Sequence, residues 1–294
     1  MWRLAFARMG AYRPTVLAIG LALHGLVGAQ PAPQDSASPP AASSVPQPSI
    51  DTKGEVVLHP WVVHPPLSTA DAYFTNLKDG ARVESPFVVR FGLATRGLVP
   101  AGHKAGRNGH HHLLIDQPLP IDLKKPLPFS ANYVHFGKGQ METVVDLPPG
   151  EHTLRLLLAN QDHVLYFIYS KELRVTVTKQ NKNVDKAAVA GPPRVEILSP
   201  NENAVLSTAP FRIQFHASGF SIGAASAKVP DTGHFRLVLE RPPQKAETID
   251  FPAGQTEVWL QPPKDRYSAR LELISNTDPG KVLARAPPVP FTVQ

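Results

Sequence analysis

The amino-acid sequence predicts an all-β protein made of two tandem immunoglobulin-like β-sandwiches, preceded by a signal peptide and a disordered tether rich in proline, alanine and serine. Three observations support this prediction. The 294-residue chain contains 32 prolines, which argues against long helices. Short apolar runs are separated by glycine and proline turns, as in β-sandwiches. A similar series of runs occurs twice along the chain, which indicates a repeated domain.

The N-terminus has the pattern of a secretory signal peptide over residues 1–29. Three arginines in the first 13 residues precede a mostly apolar run at 15–27, and Val27–Gly28–Ala29 offers the small residues of a cleavage site. The apolar run is shorter than the roughly 20 residues that a membrane-spanning helix needs. We therefore expect a periplasmic or secreted protein, with no transmembrane span in the mature chain.

Composition excludes several kinds of chemistry. The chain has no cysteine, so disulfides, thiolate metal sites and cysteine catalysis are ruled out. The predicted signal contains three arginines and no acid, which leaves 27 basic and 24 acidic side chains and a net charge of +3 on the remainder. This is too small, and too scattered, to indicate nucleic-acid binding. Because no nucleophile elbow, glycine-rich phosphate loop or HExxH motif occurs, we do not expect an enzyme.

Four segments follow the signal. Residues 30–70 are predicted to be a flexible, proline-rich tether, since residues 30–50 contain almost no bulky side chains to offset the entropy of ordering. Within this range, 55–58 and 61–63 could add a short strand. Residues 71–178 form the first predicted sandwich. Residues 179–193 are polar and then rich in glycine and proline, as in a linker. Residues 194–294 form the second sandwich.

The two predicted domains share strand patterns. In the first domain we expect strands at 73–77, 87–93, 110–116, 140–146, 151–158 and 173–178. In the second domain, 233–240 aligns without gaps on 109–116, and 251–257 aligns on 136–142. The second domain is therefore interpreted as a copy of the first that has lost most of its histidines.

Three consecutive histidines open the strand at 110–116, and the alternation of side chains along a strand divides them between two faces. In the second copy Phe235 and Leu237 share the face that must point into the core. The equivalent position to Phe235 in the first copy is His111, which we expect to be an internal, hydrogen-bonded structural residue. His110 and His112 then point the other way, with the i, i+2 spacing of a ligand pair.

His152 is expected to have a structural role at the opposite end of the domain. The second copy has Tyr267 at the equivalent position. A tyrosine there matches the corner motif of immunoglobulin-like sandwiches, in which the hydroxyl group binds the nearby backbone. We predict that His152 makes the same kind of contact.

An immunoglobulin-like topology brings three further histidines to the pole where the histidine strand begins. His135 lies in one connection of that pole and His163 in another, and His103 lies in a third. The candidate metal ligands are His110, His112, His135 and His163. Imidazoles without thiolates suit zinc or copper(II) better than copper(I) or an iron–sulfur cluster.

Two acids are candidates to orient the ligand imidazoles, Asp116 and Asp162. In the second copy His234, Arg236 and Asp250 stand where the first has His110, His112 and His135. We therefore expect the site of the second copy to be degenerate.

Two other interpretations remain open. The histidines could satisfy loop backbone groups at a solvated pole without binding metal. In that case the tandem sandwiches would act as an interaction module of the cell envelope that binds a protein or glycan partner through its loops.

The motifs GHHHLLID at 109–116, HFGKGQMET at 135–143, LPPGEHTLRL at 147–156 and the pair Asp162–His163 resemble a bacterial family catalogued as domain of unknown function 4399. The resemblance covers about residues 72–178 and reaches the second domain only through the repeat. It implies a small exported protein and carries no established activity. The family's histidine positions match His110, His111, His112, His135, His152 and His163. The chain departs from the family at Met141, where a threonine is usual, and in the hydrophobic residues after His163.

Overall fold

The computed structural model describes residues 59–67 and 71–294, which form an almost entirely β protein. The predicted signal peptide and most of the predicted tether lie outside the described residues. In chain order the strands are β1 (Val62–Val63), β2 (Ala72–Phe74), β3 (Ala81–Ser85), β4 (Phe87–Leu93), β5 (His110–Ile115), β6 (Tyr133–His135), β7 (Glu142–Val145), β8 (Gly150–Ala159), β9 (Leu165–Tyr169), β10 (Leu173–Gln180), β11 (Arg194–Ser199), β12 (Ala204–Leu206), β13 (Phe211–Ser218), β14 (Ser221–Ile222), β15 (Thr232–Glu240), β16 (Glu247–Phe251), β17 (Glu257–Leu260), β18 (Asp265–Ser275), β19 (Val282–Arg285) and β20 (Val289–Val293). Helix α1 (Lys186–Ala190) precedes β11, and a 3₁₀ turn at Ala225–Ala227 follows β14.

The first sandwich pairs a three-stranded sheet with a six-stranded sheet. The smaller sheet has the order β2-β4-β7, and the larger has the order β3-β10-β8-β5-β6 with β9 also paired to β8. β3 runs parallel to β10. Between the sheets, Phe91 of β4 contacts the rings of His111 of β5 and Phe136. This arrangement is an immunoglobulin-like sandwich, as predicted.

The second sandwich has the same organisation. One sheet has the order β1-β17-β13-β11, and the other has the order β12-β20-β18-β15-β14, with β16 paired to β15 and β19 to β18. β12 runs parallel to β20, as β3 does to β10. Phe215 of β13 contacts Phe235 of β15 and Phe251 of β16 across the core. The tandem sandwich prediction is confirmed, while the descent of the second sandwich from a copy of the first stays a prediction.

Strand β5, which lies between β8 and the edge strand β6, is buried on both faces, and this sets the environment of the histidines. Leu113 and Ile115 face the main core between the sheets. Leu114 faces the other way and joins a second apolar cluster that includes Leu127 and Leu157. The proline-rich connection between β5 and β6 supplies Leu127 and thereby covers the outer face of the sheet.

The C-terminal end of the predicted tether is part of the second sandwich. Val62 and Val63 add an edge strand to β17, where Val62 pairs with Leu260. The indole of Trp61 packs beside Tyr267 at a centroid distance of 6.0 Å, and the guanidinium of Arg241 lies 4.9 Å from the indole ring. Composition predicted a tether to residue 70, but one tryptophan and a short valine pair bury enough surface to order the segment here.

Replacing Trp61 with alanine should destabilise the second sandwich. The substitution removes the partly buried indole and its contact with Arg241, so we expect the free energy of unfolding to fall by about 2 kcal/mol. Urea denaturation measures this change. Leu67→Ala is the control, because Leu67 belongs to the same segment and is fully exposed. Equal stability of the two variants would show that the segment is not docked.

The predicted linker 179–193 is also more regular than its composition suggested. β10 continues to Gln180 because its last residues pair with Glu84 and Ser85 at the end of β3. Helix α1 follows, and the side chain of Asp185 caps it by accepting a hydrogen bond from the Ala187 amide.

Within the residues that the structure describes, no helix is long and apolar enough to cross a membrane.

The two sandwiches are joined by buried polar contacts. Glu142 of the first sandwich accepts hydrogen bonds from His216 Nε2 at 2.9 Å and from the Ser218 hydroxyl at 2.5 Å, both on β13 of the second. In the reverse direction, the hydroxyl of Tyr73 in β2 donates to the buried carboxylate of Glu257. Each sandwich therefore supplies a carboxylate that accepts hydrogen bonds from side chains of the other sandwich.

Candidate metal centre

The register of β5 brings three of the four predicted ligands together. Strand alternation places the side chains of His110 and His112 on the same face of β5, away from the main core. β6 pairs antiparallel with β5, and His135 lies directly opposite His112. β6 was not predicted as a strand, because Tyr133–His135 is too short to show periodicity. Its pairing nevertheless carries His135 to the position that the topological argument required.

A tight turn after β8 supplies the fourth histidine. β8 ends at Ala159, which pairs with His110. The Asn160 side chain then accepts hydrogen bonds from the amides of Asp162 and Val164, both at 2.9 Å. His163, within this turn, adopts a left-handed backbone with φ of 63°, and its ring is directed to His110.

The structure brings together all four predicted residues. Their nitrogen atoms lie within 4.8 Å of one another. His110 Nε2 is 3.1 Å from His163 Nδ1 and also 3.1 Å from His112 Nε2. Nitrogen ligands at 2.0–2.1 Å from a tetrahedral zinc ion lie about 3.3 Å apart. The spacing therefore fits a single ion.

The alternative is a cluster held together by hydrogen bonds alone. The protons of neutral imidazoles are difficult to arrange in such a cluster. A neutral imidazole nitrogen either carries a proton and donates or has a lone pair and accepts. His110 Nε2 faces two other ring nitrogens, so it cannot donate to one while accepting from the other. Lone pairs from several nitrogens directed at one cation satisfy these contacts together.

The environment keeps the buried histidines in the neutral form that binds metal. Burial, reinforced by the neighbouring histidines, lowers the pKa of His110 to about 3 and that of His112 to about 2. Burial followed by the proximity of His163 lowers the pKa of His135 as well. Four protonated imidazoles at these distances would repel one another strongly, whereas four neutral ones leave their lone pairs free.

An aromatic side chain that the sequence did not single out covers the cluster. The ring of Phe129 lies 5.0 Å from that of His135 and 4.9 Å from that of His163, in edge-to-face geometry. Its loop is tied to the site because the Leu127 amide donates to the His163 carbonyl at 3.0 Å. Phe129 stands in a long proline-rich connection without periodicity, so no sequence signal indicated its position.

The expected acids do not orient the ligand imidazoles. Asp116 binds His152 instead, with its Oδ2 2.7 Å from His152 Nδ1. Asp162 accepts a hydrogen bond from the neighbouring Gln161 side chain. Within the described part of the chain, the Nδ1 atoms of His110 and His112 are buried without a protein hydrogen-bond partner. The prediction for both acids was wrong: Asp116 follows the far end of β5 with a left-handed backbone (φ 54°), where His152 binds it, and the Asp162 carboxylate is bound within its own turn.

His152 has the structural role that was predicted. Its Nε2 lies 2.9 Å from the carbonyl oxygen of Pro148, four residues earlier. In the second sandwich the hydroxyl of Tyr267 donates to the carbonyl of Pro263, also four residues earlier, at 2.8 Å. The histidine and the tyrosine thus make the same corner contact. His152 lies on β8 at the end remote from Ala159, so it is separate from the cluster.

His111 points into the core as predicted, and a contact with the Leu157 backbone partly opposes the effect of burial on its pKa. Its ring centroid lies 5.4 Å from that of Phe91. Both ring nitrogens are buried, and neither has a well-aligned hydrogen-bond partner among the described residues. Burial lowers the pKa of His111 to about 3. The side chain therefore occupies an aromatic position of the core.

The corresponding place in the second sandwich contains an ion pair. Arg236 pairs across the strands with Asp250, as His112 pairs with His135. The guanidinium donates to both carboxylate oxygens of Asp250, at 2.6 and 3.0 Å. His234 instead contacts the side chain of Asn276. Opposite charges here satisfy each other directly.

His103 of the first sandwich is exposed and lies outside the cluster.

Comparison with known proteins finds a family model that matches part of the first sandwich. Residues 89–178 match the model of the family described as domain of unknown function (DUF4399), which confirms the resemblance seen in the motifs. No curated protein matches the chain.

Among solved structures, an engineered protein is 13% identical with a TM-score of 0.26, over 40% of this chain and 22% of that chain. This chain therefore spans about a fifth of that protein's length. Fibronectin(III)-like modules of Clostridium thermocellum CbhA are 13% identical with a TM-score of 0.22, over 76% and 92% of the two chains. The FN1–FN3 domains of chicken CNTN1 are 11% identical with a TM-score of 0.25, over 79% and 68%. Similarity at this level says nothing about function.

Proposed function

We propose that this is an exported, non-enzymatic protein of the cell envelope whose first sandwich binds one divalent metal ion, zinc or copper, through four histidines. The observation that carries the proposal is the convergence of nitrogen atoms from His110, His112, His135 and His163 within 4.8 Å. Three separate segments of chain contribute to that cluster, so it is a product of the fold rather than of a local histidine run.

The donor set favours a borderline ion. Imidazole nitrogens suit zinc, copper(II) and nickel(II), whereas copper(I) prefers thiolate or thioether ligands. The chain contains no cysteine, and Met141 is buried in the core between the sheets rather than at the cluster. Among the common ions, zinc fits four nitrogens in tetrahedral geometry, and copper(II) accepts the same donors in a flatter arrangement.

The number of ligands supports a binding role rather than catalysis. A catalytic zinc ion usually has three protein ligands and an open position for water, whereas a structural ion is closed by four. Here four imidazoles are available, and Phe129 covers the side on which His135 and His163 are accessible. An ion with four protein ligands stabilises the domain or is stored by it. Because it has no open position for water, it does not activate water.

Calorimetric titration of the metal-free protein with Zn²⁺ and Cu²⁺ tests the proposal. We expect one site per chain, and elemental analysis of protein purified from its native compartment should find the same ion at the same ratio. Fractionation of the cells tests the exported location independently. Absence of saturable binding for both ions would overturn the metal-binding role.

A further inference from the structure

The loops through which the two sandwiches touch are related by approximate two-fold symmetry. The Leu98 amide of the first sandwich donates to the Gly254 carbonyl of the second at 2.8 Å, and the Ile222 amide of the second donates to the Gly139 carbonyl of the first at 3.0 Å. Leu98 pairs with Gly109 in the same parallel manner in which Ile222 pairs with Gly233. The interface is therefore isologous, as between the subunits of a symmetric dimer.

Both contacts require glycine. Gly139 and Gly254 have φ values of +80° and +76°, a left-handed conformation that glycine adopts without strain. A Cβ atom on Gly139 would lie 1.9 Å from the Ile222 carbonyl oxygen, and one on Gly254 would lie 2.3 Å from the Leu98 carbonyl oxygen. Backbone meets backbone at these points, so neither neighbour can move a side chain aside.

The contact between Ile222 and Gly139 holds the segment that follows the ligand His135. The Phe136 amide donates to the His111 carbonyl, and the Ala101 amide donates to the Gly137 carbonyl at 2.9 Å. Gly137 also lacks room for a side chain, because a Cβ atom would lie 2.3 Å from the His135 ring. The turn from His135 to Gly139 is thus fixed at one end by β5 and at the other by the second sandwich.

The contact between Leu98 and Gly254 holds the segment that precedes the ligand His110. Gly109 exchanges hydrogen bonds with Gly97 and Val99, on either side of Leu98. The Asn108 side chain accepts from the Gly97 amide and donates to the Ala253 carbonyl of the second sandwich at 2.8 Å. The second sandwich therefore contacts both chain segments from which His110 and His135 extend.

We propose that the second sandwich positions the metal ligands of the first, by clamping the turn after His135 through Ile222 and the segment before His110 through Gly254. The proposal rests on the proposed metal binding. It gives a role to a domain whose own equivalent position contains the Arg236–Asp250 ion pair. A ligand set drawn from three segments has a fixed spacing only if those segments are fixed relative to one another, and orienting groups of this kind affect metal affinity by roughly 10–100-fold.

Gly254→Ala tests this positioning from outside the metal-binding domain. The substitution touches no histidine, yet it forces Leu98 away and should raise the dissociation constant for Zn²⁺ by at least about tenfold. Gly80→Ala is the matched control, because Gly80 has a φ of +78° and open space around its Cβ position. It introduces the same backbone strain without touching the interface, so its affinity for Zn²⁺ should equal that of the wild type.

The outcomes separate this inference from the proposed function. If the wild type does not bind Zn²⁺, metal binding itself is wrong. If the wild type binds and a folded Gly254→Ala variant binds equally tightly, the positioning role is wrong. If Gly254→Ala fails to fold, Asn108→Asp decides, since it keeps an acceptor for the Gly97 amide and removes only the donation to the Ala253 carbonyl. An unchanged dissociation constant in that variant overturns the inference, and a weakened one supports it.

Discussion

Joint replacement of His110 and His112 by alanine should abolish tight binding of zinc or copper. The two imidazoles provide half of the nitrogens in the cluster, and His110 Nε2 is the atom that lies 3.1 Å from two other ligands. Loss of an outer-shell partner alone weakens metal binding by roughly 10–100-fold, and loss of two direct ligands should weaken it considerably more. Calorimetric titration with Zn²⁺ measures the effect, and the increase in melting temperature on adding Zn²⁺ should disappear with it.

A second double variant distinguishes the cluster from histidine content in general. His64 and His103 are both exposed and lie outside the cluster, so His64→Ala/His103→Ala also removes two histidines. This control should bind Zn²⁺ as the wild type does. The four-histidine site is contradicted if the two double variants have the same affinity, or if the titration of His110→Ala/His112→Ala is unchanged.

Substitution of His111 by phenylalanine should stabilise the metal-free protein. His111 buries two ring nitrogens that lack well-aligned partners among the described residues, and an unsatisfied buried polar group costs about 1–3 kcal/mol. The second sandwich shows that a larger ring fits this environment, because Phe235 contacts Phe215 at the centroid distance, 5.4 Å, at which His111 contacts Phe91. We expect the free energy of unfolding at pH 7.5 to rise by about 1–2 kcal/mol, with unchanged affinity for Zn²⁺.

The gain from His111→Phe should increase in acid. Burial lowers the pKa of His111 to about 3, so between that pH and about 6.5 the unfolded chain binds a proton that the folded protein does not. The stability associated with neutral His111 is therefore complete above pH 6.5 and is lost as the pH falls toward 3. Phenylalanine removes this loss, and the advantage of the variant should grow by on the order of 1 kcal/mol for each pH unit below 6.5.

Urea denaturation at pH 7.5 and pH 4.5, in the presence of a chelator, measures both effects. His152→Phe provides the contrast, because it removes a histidine whose two nitrogens are bound to Asp116 and Pro148. That variant should be less stable than the wild type at pH 7.5. A His111→Phe variant that is also less stable at both pH values would show that the His111 nitrogens make contacts important for folding.

Strand periodicity made much of the fold and half of the site predictable. The alternation in β5 and in the aligned strand β15 assigned His111 to the core and His110 and His112 to the opposite face, because side chains on a strand alternate regardless of distant partners. His135 and His163 were placed at the same pole by topology. Their actual distances depend on the register of a three-residue strand and on a turn organised by Asn160, and neither has a periodic signal.

Contacts made over long sequence separations were the part that periodicity could not reveal. Trp61 packs on Tyr267, and Phe129 covers a cluster whose members extend to His163. Both residues stand in proline-rich stretches that look flexible when composition alone is considered. These two residues are ordered because they pack against side chains from distant parts of the chain. The composition of the surrounding sequence therefore does not predict their order.

The ion pair between Arg236 and Asp250 makes the second sandwich self-sufficient. The place that four imidazoles leave for an added cation in one half of the chain is filled, in the other half, by a cation that is covalently part of the protein. The side chains at this position of the second sandwich therefore need no metal ion to be paired. On the proposed metal binding, loss of the ion would act on the first sandwich and leave the second, with its contact loops, unchanged.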